Sequence, residues 1–169
     1  MKNLSIAALL GGAALILAGC GGGSEEAREK KMEDQAAKYG IDADVELDDD
    51  GEVKSVEIKG VNGAKVGTGL DLPDGFPEDV SVSEGWNIAA VSPAPGGFSI
   101  NAMTDEDVDA IVAFAREKMT AGGWTETQFR QPVPQMTTIN FEKDARLTAY
   151  TIMNSGAQNS VQLVTMKKP

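Results

Sequence analysis

The chain has 169 residues and a formal net charge of -11, from 26 acidic and 15 basic side chains, with one cysteine and no histidine. Such a surface repels phosphate backbones, which excludes nucleic acid as an expected partner. The missing histidine excludes Ser-His-Asp and Cys-His catalysis and imidazole-based zinc sites, and a single cysteine excludes a disulfide within the chain.

Residues 1–19 have the three zones of a secretory signal peptide: Lys2 in a short basic start, an apolar run from Leu4 to Leu17, then the small residues Ala18 and Gly19. The run is broken by Gly11 and Gly12 and is shorter than the ~20 apolar residues that span a bilayer, so removal is expected rather than retention. Leu17-Ala18-Gly19-Cys20 resembles the lipobox of bacterial lipoproteins. The resemblance implies lipid attachment at the Cys20 sulfur, as a diacylglycerol, and cleavage just before it. Each buried methylene contributes ~0.8 kcal/mol and two chains anchor stably where one does not, so the membrane becomes a partner through this lipid. Gly21 stands where inner-membrane lipoproteins tend to carry Asp. The resemblance therefore implies an outer-membrane protein facing the periplasm in a diderm, or an extracytoplasmic membrane surface otherwise.

Residues 20–40 read as a tether, flexible from Cys20 to Ser24 and charged from Glu25 to Lys38. Met32, Ala36 and Tyr39 share helical spacing and Gly40 can end a helix, which predicts a short, weakly docked one. At Ile41 the period changes to two: Ile41, Ala43, Val45 and Leu47 alternate with Asp42, Asp44 and Glu46, and Val56 and Ile58 follow the turn at Asp48-Asp49-Asp50-Gly51. With a further turn at Asn62-Gly63, residues 41–71 are expected to form a small β-meander. Residues 72–79, with Pro73, Gly75 and Pro77, cannot hold regular structure and read as an extended strap whose Leu72 and Phe76 can still bury.

Residues 80–169 read as the main domain. Thr104-Asp105-Glu106-Asp107 resembles a capping box, Val108, Ile111, Val112, Ala115 and Met119 form one apolar stripe with Phe114 at its margin, and Gly122-Gly123 ends the run. This predicts a helix over about 104–121. The other segments alternate as strands: Trp86–Val91, Phe98–Ala102, Trp124–Arg130, Thr137–Glu142, Arg146–Met153 and Ser160–Met166, with turns marked by Pro93-Ala94-Pro95-Gly96-Gly97 and Pro132-Val133-Pro134. The expected fold is α+β, one main helix packed on a curled antiparallel sheet in the order ββαββββ, preceded by the meander and the tether.

The side chains that could carry chemistry are few. Glu46, Asp48, Asp50, Gly51, Val53 and Glu57 fall at loop positions 1, 3, 5, 6, 8 and 12 of an EF-hand. Lys54 occupies a ligand position, however, and the flanks alternate as strands, so an acidic hairpin turn is the reading preferred over a calcium loop. The glycines around Asn62 and Thr68 lack phosphate-loop spacing. Trp86 and Trp124 could stack on a sugar or peptide, but each begins a strand beside a glycine and is expected to anchor the core. No catalytic, cofactor-binding or metal-ligating residue is assigned; the one candidate site residue is Cys20.

Residues 41–166 also resemble a group of poorly characterised bacterial lipoproteins. The likeness rests on the lipobox, the segment Leu72-Pro73-Asp74-Gly75-Phe76-Pro77-Glu78-Asp79-Val80, and an acidic-capped helix running into Gly123-Trp124. It implies an envelope protein but brings no catalytic residue. The expected function is non-enzymatic binding or assembly in the periplasm with another envelope protein. A periplasmic small-ligand module using Trp86 or Trp124 is the alternative, and a carboxylate-based hydrolase ranks third. An apolar patch on the sheet face away from the helix would mark a docking surface.

Overall fold

The computed structural model describes residues 24–59 and 63–168. The first described element is helix α1 (Glu25–Lys38), followed by strands β1 (Ala43–Leu47), β2 (Val53–Ile58), β3 (Ala64–Gly67), β4 (Asn87–Ala94) and β5 (Gly97–Thr104). Helix α2 (Val108–Ala121) separates these from β6 (Thr125–Val133), β7 (Met136–Lys143), β8 (Arg146–Asn154) and β9 (Asn159–Lys167). No helix among the described residues is long and apolar enough to cross a membrane.

This architecture corrects the expected α+β arrangement of one helix on its own curled sheet. All nine strands join a single antiparallel sheet in the order β1-β2-β3-β4-β5-β9-β8-β7-β6, a β-rich fold with two helices at its flanks. The meander does not stand before the main sheet but extends it, because Lys65 and Val66 of β3 pair with Val91 and Ala90 of β4. The proline-bearing stretch between β3 and β4 interrupts local periodicity without interrupting the sheet. Pairing depends on which edges are free to meet, and a local pattern does not encode that.

The crossover through α2 sets the order of the second half. β5 leads into α2, which carries the chain to the far edge at β6; three hairpin-connected strands then return, and β9 fills the gap between β8 and β5. The helix begins later than expected. Thr104 closes β5 and its Oγ1 accepts the Glu106 N–H at 3.1 Å, while Asp107 takes the N-cap position without a side-chain cap bond. Both proline turns shift as well. β4 runs through Pro93, where β3 pairing has already ended at Val91, and β6 runs through Pro132 on an outer edge, so neither proline deprives a neighbouring strand of a bond.

Register assigns the two faces. Ile100, Ala102, Ile139, Phe141, Tyr150, Ile152, Val161 and Leu163 point to one face, where Ile111, Val112, Ala115 and Met119 of α2 complete the core. Tyr150 sits between aromatic edges, 5.9 Å from Phe141 and 6.4 Å from Trp86 between ring centres. The opposite face is mixed. Leu147, Ala149, Val164 and Met166 form a half-buried apolar island among Asn101, Thr138, Asn140, Thr151 and Gln162, which suits a solvated antiparallel face.

Candidate functional site

The most elaborated part of the molecule is the strap from Thr68 to Trp86, which crosses the α2 side of the sheet. Its prolines and glycines leave the backbone few internal bonds, so its position depends on attachments elsewhere. The Gly69 N–H donates to Asn87 Oδ1 at 2.8 Å and the Leu70 N–H to the Ile88 carbonyl at 3.0 Å. Midway, Phe76 packs on Phe98 with ring centres 5.8 Å apart. Near its end the Tyr150 hydroxyl donates to the Ser81 carbonyl at 2.6 Å, with Met119 Sδ 3.2 Å away.

Asp79 is the principal fastening. Arg146 donates from Nη1 and Nη2 to its two carboxylate oxygens at 2.8 and 2.6 Å, and Lys143 Nζ donates to Oδ2 at 2.6 Å. Lys143 also donates to the Gly122 carbonyl at 2.8 Å, which ties the end of α2 into the same cluster. The β7–β8 hairpin positions both cations: Lys143 and Arg146 pair across a two-residue turn in which Asp144 takes a left-handed φ of 53°. The Arg146 guanidinium, then Lys143, hold the Asp79 carboxyl well below the usual carboxylate range, against a desolvation that acts in the other direction. A carboxylate so thoroughly engaged serves as a structural anion. Burial pushes the Tyr150 hydroxyl above its ordinary value, only partly offset by its bond to Ser81, and keeps it neutral.

Two clefts flank the strap. One, of about 580 Å³, lies over β2 and β3 with Leu70, Leu72 and Phe98 on its apolar side and Glu46, Glu57 and Asp74 among its acidic groups. It exists because α2 does not reach this end of the sheet. Within it Glu57 pairs with Lys65 at 3.2 Å and Glu46 accepts from Ser55 Oγ at 2.8 Å. The other, about 790 Å³ and more open, runs between the strap and α2 past Phe76, Val82, Phe114 and Lys118.

Neither cleft uses a tryptophan. Trp86 is 6% exposed and packs on Phe114 at 5.4 Å, and its Nε1 donates to Glu106 Oε2 at 3.2 Å. Trp124, at 2% exposure, lies under Arg146 and donates from Nε1 to the Asp79 carbonyl at 2.8 Å. Their indole nitrogens are thus spent on the strap and on the approach to α2.

The acidic turn is organised around its own backbone. Asp48 Oδ1 accepts the N–H groups of Asp50 and Glu52 at 3.1 and 2.8 Å, and Gly51 takes φ 77°. Arg28 of α1 donates to the Gly51 carbonyl at 2.9 Å. With Glu46 and Glu57 engaged on the sheet, the carboxylates do not converge, and among the described residues no group of three or more potential ligands could hold a metal ion.

Sequence reading did not identify Asp79, Lys143 and Arg146 as a unit. Asp79 lies 64 and 67 residues before Lys143 and Arg146, and the only local signal was an acidic residue ending a proline-rich strap. Cys20 and the signal segment before it lie outside the described residues, as does Asn62 of the second meander turn. No protein-family model matches the sequence, and no curated protein or solved structure matches it either.

Proposed function

We propose that the chain is an envelope lipoprotein held to the membrane by diacylglycerol on Cys20, with a non-enzymatic binding or assembly role on the periplasmic side of the outer membrane. The observation that carries this reading is Leu17-Ala18-Gly19-Cys20, a lipobox-like sequence at the end of a signal-like segment, in a chain whose only cysteine is that one. Two acyl chains anchor stably. The glycines at 21–23 then give the folded part freedom to turn above the surface. A binding role is supported by the clefts beside the strap and by the engagement of the two most perturbed groups, Asp79 and Tyr150, in packing.

The test is metabolic labelling with an alkyne fatty acid together with intact mass. The full chain should label, fractionate with membranes and lose residues 1–19, and Cys20→Ser should do none of these. An unlabelled full chain, or a Cys20→Ser variant with unchanged mass and fractionation, would overturn the reading. Proximity crosslinking in cells should recover an envelope protein. The alternative, a small-ligand module, draws support from the 580 Å³ cleft and its Leu70 and Phe98 side, with neither tryptophan in it.

A further inference from the structure

The outer edge of β1 is closed in an unusual way. A strand at the end of a sheet presents unpaired N–H and C=O groups, which makes it a template for another strand. Here the Val45 N–H donates to Glu33 Oε1 at 3.2 Å and the Leu47 N–H to Glu29 Oε1 at 3.0 Å, both glutamates belonging to α1. The spacings match: four residues of helix rise about 6 Å and two residues of strand about 6.8 Å. The helix thus occupies the edge amides with side chains. Its hold is slight, since no α1 residue is buried and, apart from Arg28 on the turn, its packing is against β1. A carboxylate also only accepts, so the Val45 carbonyl, which points the same way as its N–H, receives nothing from the glutamates.

We propose that α1 is a displaceable guard of the β1 edge, and that β1 receives an extended peptide from a partner in which basic and apolar residues alternate. This deepens the binding role proposed above and does not depend on lipid at Cys20. Charge decides the occupant. Asp44, which also pairs with Lys59 at 2.8 Å, and Glu46, which also accepts from Ser55 Oγ, share the face that an added strand would continue, and Ala43 and Val45 share the other, so lysine or arginine fits opposite the first pair, in competition with Lys59 at Asp44, and apolar side chains opposite the second. A second copy fits poorly. Antiparallel pairing of β1 with β1 centred on Val45 sets Asp44 against Glu46, and a shift by one residue pair in either direction sets Asp44 against Asp44 or Glu46 against Glu46. An incoming peptide supplies both donors and acceptors, which the guard does not.

The test uses the full chain in detergent and a capped hexapeptide of alternating lysine and valine. Glu29→Ala with Glu33→Ala should bind it about tenfold more tightly than the unaltered chain, since two guard bonds no longer compete. A block peptide of three lysines and three valines, and an alternating peptide N-methylated on its edge-facing amides, should bind at least tenfold more weakly. In the unaltered chain the alternating peptide should slow amide exchange at Val45 and Leu47 and quicken it through α1, a readout that does not depend on the variant folding. Equal affinity for the block or N-methylated peptide would reduce the effect to charge attraction and overturn the proposal. So would unchanged exchange in α1, or dimerisation of the double variant without peptide, which would make a second copy the occupant. Loss of fatty-acid labelling at Cys20 would bear on the anchor alone.

Discussion

Arg146 and Trp124 meet on Asp79: the guanidinium lies 4.8 Å from the centre of the indole ring and grips the Asp79 carboxylate, while the indole Nε1–H donates to the carbonyl of the same residue at 2.8 Å. One strap residue is therefore held by side chain and backbone together, from β8 and from the residue just before β6. The cation stacked on the ring is partly shielded from water, which strengthens its pairing with the carboxylate.

Asp79→Asn should destabilise the fold by roughly 2–3 kcal/mol, because it leaves two cations partly buried beside a neutral group. Urea unfolding followed by tryptophan fluorescence measures it. Arg146→Lys keeps the charge but loses the two-pronged grip and the ring contact, and should cost about 1 kcal/mol. A loss under 0.5 kcal/mol in both variants would show that the latch contributes little.

The same cluster fixes an acid limb. The Asp79 carboxyl is depressed in the folded state, so its contribution is complete at neutral pH. As pH falls below about 4 the unfolded chain takes up the proton first, and stability declines towards the lower folded value. The difference in stability between the unaltered chain and Asp79→Asn should therefore shrink between pH 5 and pH 2, with about pH 4 as its upper shoulder. A difference constant with pH would refute the assignment.

Tyr150 works in the opposite direction. Its hydroxyl is raised by burial, so its contribution is full below about pH 10 and is lost as pH rises from there towards the folded value. Thermal midpoints should fall above pH 10. Tyr150→Phe should flatten that limb and cost about 1–2 kcal/mol at neutral pH, by leaving the Ser81 carbonyl without its donor.

Gly97 opens β5 where it lies against β9, and a methyl group there would collide with the Thr165 carbonyl and the Met166 backbone. Gly97→Ala should force the β5–β9 pairing apart and cost about 3 kcal/mol or more. Loss of cooperative unfolding, or exchange protection removed from β9, would be the sign. Gly69→Ala tests the specificity of this effect: its added methyl meets no neighbour, so any cost reflects only its φ of 62°.

Much of the local structure could be read from the chain. The alternation from Ile41 to Leu47, the α2 stripe and the turn at Asp48-Asp49-Asp50-Gly51 each rest on contacts within a few residues, which a linear pattern records. Thr104 and Pro93 show where such reading fails. Thr104 has the chemistry of a cap, but the ladder to Asn159 claims it for β5; Pro93 looks like a breaker, but the partner it would disturb has already ended. The candidate site was less legible still, because Asp79 joins Lys143 and Arg146 only when the strap is laid over the β7–β8 hairpin.

By itself, then, the sequence set the position of its one thiol, after a signal-like run, and the alternation and stripe that make strands and a helix. These are properties of neighbours along the chain. The tertiary structure alone decided that the meander and the main strands form one sheet, that β9 inserts beside β5, that Asp79 becomes a latch, and that Glu29 and Glu33 close the β1 edge. Each of these depends on backbone groups and charges distant in sequence finding one another. Their pairing is selected by which edges and which faces remain unsatisfied once the local elements have formed.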